Sequence, residues 1–298
     1  MPICRREFLK LAGLGSAIMV LGSRGLLQAA GGEQAKDDFF FLQISDTHWG
    51  FNDPAVNPDS KGTLKKAIAA ANSLTVQPDF VVFTGDLTHT TDDPKERRRR
   101  MAEVKEIIGG LKVRDIKFLA GEHDAGLDNG EAFQEIFGKT RYTFQHKGVN
   151  FIVVDNVSDP TSSIGDAGLQ WLQGELAKLD PASRIIVLTH RPLFDLYPQW
   201  DWWTRDGSKA VDMLMPYKNA TVLYGHIHQE HHHMTGHIPH HAAKGMMLPL
   251  PAPGSVPKRV PIPWNPAEPY KGLGYRGVTA KAAKGEYLLT EYPIVKGV

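Results

Sequence analysis

The sequence has one cysteine, no apolar run long enough to span a bilayer, and almost no net charge, with 34 Lys and Arg against 33 Asp and Glu in 298 residues. Each shortage removes a class of protein. A lone Cys4 forms no internal disulfide, so no disulfide framework holds the fold, and any metal site must use nitrogen and oxygen donors. A formal charge of +1 gives no whole-protein field to attract nucleic acid or an anionic membrane, and no nucleic-acid partner is expected. With 42% hydrophobic and 22% charged residues, the composition is that of a globular, enzyme-sized protein and not of a disordered or collagenous chain. Histidine, by contrast, is plentiful: there are 13.

Near the N-terminus, Arg5 and Arg6 precede Phe8, Leu9 and Lys10, and a mostly apolar run follows from Leu11 to Leu21. A membrane-spanning helix needs roughly 20 apolar residues, so this run is too short for one. Paired arginines, a short apolar core and then small residues resemble a twin-arginine signal peptide; an amphipathic N-terminal helix is the alternative. The resemblance implies that residues 1–30 are an address read by the twin-arginine export machinery and cut near Ala29 or Ala30. The mature protein would then be periplasmic or otherwise extracytoplasmic, with no stable membrane anchor. Loss of the segment takes the formal charge from +1 to about −2 and removes the only thiol.

Beyond it, short β-branched or aromatic runs recur at Phe39 to Ile44, Phe80 to Thr84, Ile116 to Ala120, Asn150 to Asp155, Arg184 to Thr189 and Thr221 to Tyr224. Helical patterns fall between several of them, at Thr63 to Leu74, Lys95 to Ile108, Glu131 to Phe137, Leu169 to Leu179 and Lys209 to Leu214. Such alternation predicts an α/β protein with a parallel or mixed sheet. A domain over 37–245 is followed, over 246–298, by a proline-rich arm and two last strands, Gly277 to Lys281 and Glu286 to Tyr292, packed on the same domain.

Nearly every predicted strand runs into a ligand-type residue at its C-terminal end. The strands lead in turn to Asp46 and His48, to Asp86, to Glu122, His123 and Asp124, to His190, and to His226 and His228. In α/β sheets ligands gather outside the carboxyl ends of the strands, so these clusters can converge. Three carboxylates and four imidazoles (Asp46, His48, Asp86, Glu122, His190, His226, His228) are too many for one ion and suit two that share a carboxylate.

The order Asp-x-His, Gly-Asp, Gly-x-His-Asp, an isolated His and Gly-His-x-His resembles the calcineurin-like metallophosphoesterase superfamily, over roughly residues 38 to 235. Gly225-His226-Ile227-His228-Gln229 looks closest to its cyclic-nucleotide phosphodiesterase-like branch. The resemblance implies two packed mixed β-sheets flanked by helices, a four-layer sandwich, and two divalent ions (Mn, Fe or Zn). It puts Asp46, His48 and His228 on one ion, His190, His226 and position 122 on the other, and Asp86 between them. His123 becomes the catalytic acid beside the phosphate, oriented by Asp124, with a water or hydroxide between the ions as nucleophile. The implied function is an exported phosphoesterase acting on a small phosphate ester, diester or monoester; the competing reading is a non-catalytic periplasmic metal-binding or accessory protein on the same fold.

The family has Asn where this chain has Glu122. A third carboxylate lowers the net positive charge of the site by one, which favours a phosphodiester monoanion or a weakly charged substrate over a phosphate dianion; the other reading is a tolerated ligand swap with little change in chemistry. Three other features stay open. His231, His232, His233, His237, His240 and His241 are either strand and turn residues beside the site or an auxiliary metal-capture patch aided by Met234, Met246 and Met247. Arg97 to Arg100 form either a solvated helix face or a phosphate-recruiting patch. Trp200, Trp202 and Trp203 either pack on one another or form a rim that stacks on substrate, with Arg191 or Arg205 near the phosphate.

Overall fold

Strands β1 (Phe39–Ile44) and β2 (Phe80–Thr84) form where the sequence reads as near-continuous apolar runs, and they are buried almost throughout, as strands covered on both faces must be. The structure, a computed structural model, describes residues 38–281 and 286–295; the expected export signal at 1–30 lies outside the described residues. Between the strands, α1 (Thr63–Ser73) turns Leu64, Ala67, Ile68 and Ala71 inward. Helix α2 (Pro94–Ile108) begins at an N-cap, Asp93, whose carboxylate accepts from the N–H groups of Lys95 and Glu96, with proline at the first helical position. The chain continues through β3 (Ile116–Leu119), α3 (Glu122–Ala125), α4 (Glu131–Phe137), β4 (Tyr142–His146), β5 (Val149–Val153), α5 (Gly165–Leu176), β6 (Arg184–Leu188), α6 (Gly207–Leu214), β7 (Asn219–Tyr224), β8 (His231–Thr235), β9 (Ile238–Ala242), β10 (Gly274–Lys281) and β11 (Glu286–Pro293).

Two mixed sheets result, ordered β11-β10-β1-β2-β3 and β4-β5-β6-β7-β9-β8. Strands β1, β2 and β3 are parallel in the first, and β5, β6, β7 and β9 in the second. Phe39, Phe41, Phe80 and Val82 of one sheet meet Phe151, Ile186, Leu188 and Leu223 of the other in an apolar layer between them. Helices α1, α2 and α4 cover the outer face of the first sheet, and α5 and α6 that of the second, completing the four layers. The carboxyl ends of β1, β2, β3, β6 and β7 therefore come to one edge, which is where the candidate ligands lie.

Several open features resolve here. Arg97 pairs with Asp128, Arg98 with Glu135, Arg99 with Glu96 and Glu103, and Arg100 with Glu96. The arginine run is thus a set of paired helix-face charges and not a reserve of free cations. Trp200 and Trp202 pack edge to face at 5.2 Å, with Trp202 fully buried, so the tryptophan loop is chiefly a packing device. Arg205 lies over the Trp203 ring and donates to the Thr161 carbonyl. Met246 and Met247 are buried in separate apolar clusters and do not join the histidines.

Candidate metal centre

Five of the seven candidate ligands sit in strained backbone. Asp46, His48, Asp86, His226 and His228 have φ between 39° and 66°, and they make up half of the ten non-glycine residues with positive φ among those described. Left-handed backbone at a non-glycine residue costs on the order of 1–3 kcal/mol, and Asp and His tolerate it better than most. The bend turns each side chain off the end of its strand and back toward the gap between the sheets. Of the glycines that directly precede Asp86, Glu122 and His226, Gly85 takes a left-handed turn, with φ of +94°. Gly121 and Gly225 are needed for space: a Cβ there would come within 2.0 Å of Asp86 Oδ1 and of Ser45 Oγ, respectively.

The side chains gather into two sets that share Asp86. One is Asp46, His48, Asp86 and His228; the other is Asp86, Glu122, His190 and His226, and the candidate donor atoms of each set lie within 4.8 Å of one another. In the first, His48 Nε2 is 3.4 Å from Asp86 Oδ2 and 3.1 Å from His228 Nε2, and His228 Nε2 is 3.3 Å from Asp46 Oδ1. In the second, Glu122 Oε2 is 2.8 Å from His190 Nε2 and Glu122 Oε1 is 2.9 Å from His226 Nδ1.

Whether these residues suit divalent ions is decided by the outer nitrogens of the rings. His190 Nδ1–H donates to the Thr84 carbonyl at 2.7 Å, His228 Nδ1–H to the Leu248 carbonyl at 2.6 Å and His226 Nε2–H to the Asp201 carbonyl at 2.9 Å. Each carbonyl takes the proton of the outer nitrogen and so directs the inner nitrogen at the carboxylates, where it can serve as a metal ligand once it is without a proton. His190 Nε2 is buried among Asp86, Glu122 and Asp46 yet has no well-aligned hydrogen bond. Burial disfavours a charged His190, but Asp86 and Glu122 outweigh it and hold its pKa well above the ordinary value. A proton there serves as a cation substitute, and a metal ion would displace it. The donor set fits divalent metal.

Glu122 is not an isolated excess charge. Burial raises its pKa, while His226, Arg191 and His190 together hold it well below the ordinary carboxylate range. Arg191, 4% exposed, has Nη2 at 3.9 Å from Glu122 Oε2, and its Nη1 donates to the carboxylate and backbone carbonyl of Asp201 at 2.6 and 2.9 Å. The third carboxylate thus arrives with a buried guanidinium beside it.

His123 stands next to Asp86, its backbone N–H donating to Asp86 Oδ1 at 3.0 Å and its Nε2 lying 3.9 Å from Asp86 Oδ2. Asp124 does not orient it, contrary to expectation. The Asp124 carboxylate accepts from the N–H groups of Leu87, Thr88 and Gly121 and from the Thr88 hydroxyl, because consecutive helical residues point about 100° apart. Thr90 takes the role instead: its N–H donates to His123 Nδ1 at 3.1 Å, which fixes the ring proton on Nε2. Sequence reading missed Thr90; its only signal was a hydroxyl four residues after Asp86. His89 lies flat against His123 at 5.0 Å, with its Nδ1 3.4 Å from His48 Nδ1, and burial followed by the neighbouring His123 pushes its pKa down to about 4.

Residues 41–230 match the model of the calcineurin-like phosphoesterase family. The chain is 26% identical over 209 residues to a probable cyclic nucleotide phosphodiesterase of Rhodococcus erythropolis, covering 66% of this chain and 67% of that one. It is 27% identical over 212 residues to a cAMP/cGMP dual specificity phosphodiesterase of Mycobacterium tuberculosis, covering 66% and 64%. The chain thus spans about two thirds of the length of these relatives. Among solved structures, a dimetal phosphatase from Danio rerio superposes with a TM-score of 0.55 at 14% identity, over 87% of this chain and 99% of that one, a likeness of fold.

Proposed function

The chain belongs to the calcineurin-like phosphoesterase family, and on that premise we propose that it is a metal-dependent phosphoesterase with a dinuclear centre, favouring phosphodiesters. One observation carries the reading: two four-residue donor sets share Asp86, with the His123 ring beside it. Asp46, His48 and His228 would hold one ion, Glu122, His190 and His226 the other, and Asp86 both. When bound, two divalent ions would supply positive charge to the phosphoryl oxygens and lower the pKa of an attacking water.

The chain's own residues do the rest. Thr90 keeps His123 Nδ1 an acceptor, so Nε2–H is the proton available to the departing alkoxide or phenoxide oxygen as its bond to phosphorus breaks. Carbonyls of Thr84, Leu248 and Asp201 hold three imidazoles in one tautomer, so the pocket is organised before substrate arrives. Glu122 adds a negative charge that Arg191, shared with Asp201, offsets only in part, which favours a monoanionic diester. The two named relatives make cyclic AMP and cyclic GMP natural diesters to include in a screen. Paired Arg5 and Arg6 support export by the twin-arginine pathway to the periplasm, checked by fusing residues 1–35 to a reporter; uncut cytoplasmic reporter would reject it.

The decisive experiment reconstitutes the protein with Mn, Fe or Zn and compares bis(p-nitrophenyl) phosphate with p-nitrophenyl phosphate, alongside His123→Ala. Diester turnover above monoester turnover supports the reading, with a fall in His123→Ala that is smallest for nitrophenolate leaving groups. Bound metal without turnover of either substrate would leave the non-catalytic binder as the function.

A further inference from the structure

The β8–β9 hairpin carries six histidines outside the centre, in strand or turn, and cross-strand register sorts four of them onto two faces: His232 opposes His241, and His233 opposes His240. On one face His233 stacks on Phe194 at 3.9 Å with His240 edge-on at 5.2 Å, so aromatic packing accounts for that pair. On the other face His232 and His241 meet each other edge to face at 4.9 Å. There they bring their Nδ1 atoms to 2.8 Å of each other beside a cavity of about 450 Å³, which Glu230, Met234, Tyr287 and Glu291 also line.

The outer nitrogen of His232, Nε2, is 3.4 Å from Glu230 Oε1, while the other Glu230 oxygen meets Lys244 Nζ at 3.2 Å. A carboxylate on one ring nitrogen turns the lone pair of the other inward. The Glu291 side chain is 7% exposed and pairs through Oε1 with Arg276, yet its Oε2 is buried without a hydrogen-bond partner.

We propose that His232 and His241 form a transition-metal site separate from the central one, with Glu230 as the carboxylate that positions His232. Glu230 and Glu291 are already paired with cations, Lys244 and Arg276, so the cavity offers no net negative charge to a hard ion such as Mg or Ca. Its attraction is imidazole nitrogen, which selects Cu, Ni and Zn, copper(II) binding most tightly. His232, 37% exposed at its side chain, gives an ion access from solvent.

The test is independent of the catalytic reading, because it counts a difference. Nickel titrated calorimetrically into the whole protein and into a His232→Gln/His241→Gln variant should give one equivalent more in the unaltered protein, whatever the central occupancy, with equal turnover of bis(p-nitrophenyl) phosphate. Copper(II) bound to the unaltered protein should show imidazole nitrogen coupling by electron paramagnetic resonance that the variant lacks. Glu230→Gln should weaken that equivalent roughly 10- to 100-fold without removing it. Should the double variant not fold, the single exposed change His232→Gln must lose the same equivalent. Equal nickel counts in folded protein and variant would overturn the site and leave a plain hydrogen bond between two imidazoles.

Discussion

The half of the centre built from Asp46, His48 and His228 is sealed, with side-chain exposures of 0%, 3% and 4%, whereas the half built from Glu122, His190 and His226 opens at Glu122, which is 21% exposed. Support differs in the same way. His228 is braced by the Leu248 carbonyl, at the root of the proline-rich arm. His226 and Arg191 are both braced by Asp201, in the tryptophan loop. Glu122, where the resemblance leads one to expect Asn, falls in the open half, and the buried guanidinium beside it is itself held by Asp201 of that loop. Strand ends supply the ligands of both halves, and the open half leans in addition on a loop and an ion pair.

Four of the substitutions and conditions that follow bear on this contrast, and the fifth tests a region outside both halves. Asp86→Asn, which touches both sets, should abolish diester turnover and strip metal from both halves, measured by metal content; retention of one ion at full occupancy would show the halves to be independent. His123→Ala should lower kcat roughly 10²- to 10⁴-fold, more for a methyl ester leaving group than for p-nitrophenolate, which departs without help from an acid. Arg191→Met should cost roughly 10- to 100-fold in activity, and Glu122→Asn should restore most of it in the double variant. Simple additivity of those two changes would break the proposed coupling. Thr90→Val keeps the N–H bond and loses only the hydroxyl, which also meets His123 Nδ1, so a smaller loss of about 2- to 10-fold in kcat is expected. The last prediction concerns folding. Burial pushes His240 down to about 4, so between the unfolded value near 6.5 and that figure the unfolded chain binds the proton first. Stability present above pH 6.5 should fall as pH drops toward 4, by up to about 3 kcal/mol, and His240→Phe should flatten that slope in denaturant melts.

Sequence reading recovered β1 and β2 to the residue because both are apolar runs between turn signals. It missed β4, whose apolar face is only the half-buried pair Tyr142 and Phe144, and β8, which begins with three histidines and alternates between half-buried and exposed. The seven candidate ligands were legible because each follows the end of a parallel strand. The roles of Thr90 and Asp124 were not, since adjacency in sequence hides which way a residue points within the single turn of α3. Arg191 drew notice as a cation for phosphate, and only its contacts with Asp201 and Glu122 show that charge to be already engaged.

The family segment, residues 41–230, is not a self-sufficient piece of this protein. Strand β1, which carries Asp46 and His48 at its end, has β10 from residues 274–281 as one of its two neighbours. The carbonyl that fixes the His228 tautomer belongs to Leu248, and the Met246 N–H binds the carbonyls of Ser45 and Asp46. Cutting the chain where the recognisable motifs end would bare the edge of β1 and free an imidazole to rotate, so the smallest active unit of this enzyme must extend through its C-terminal strands.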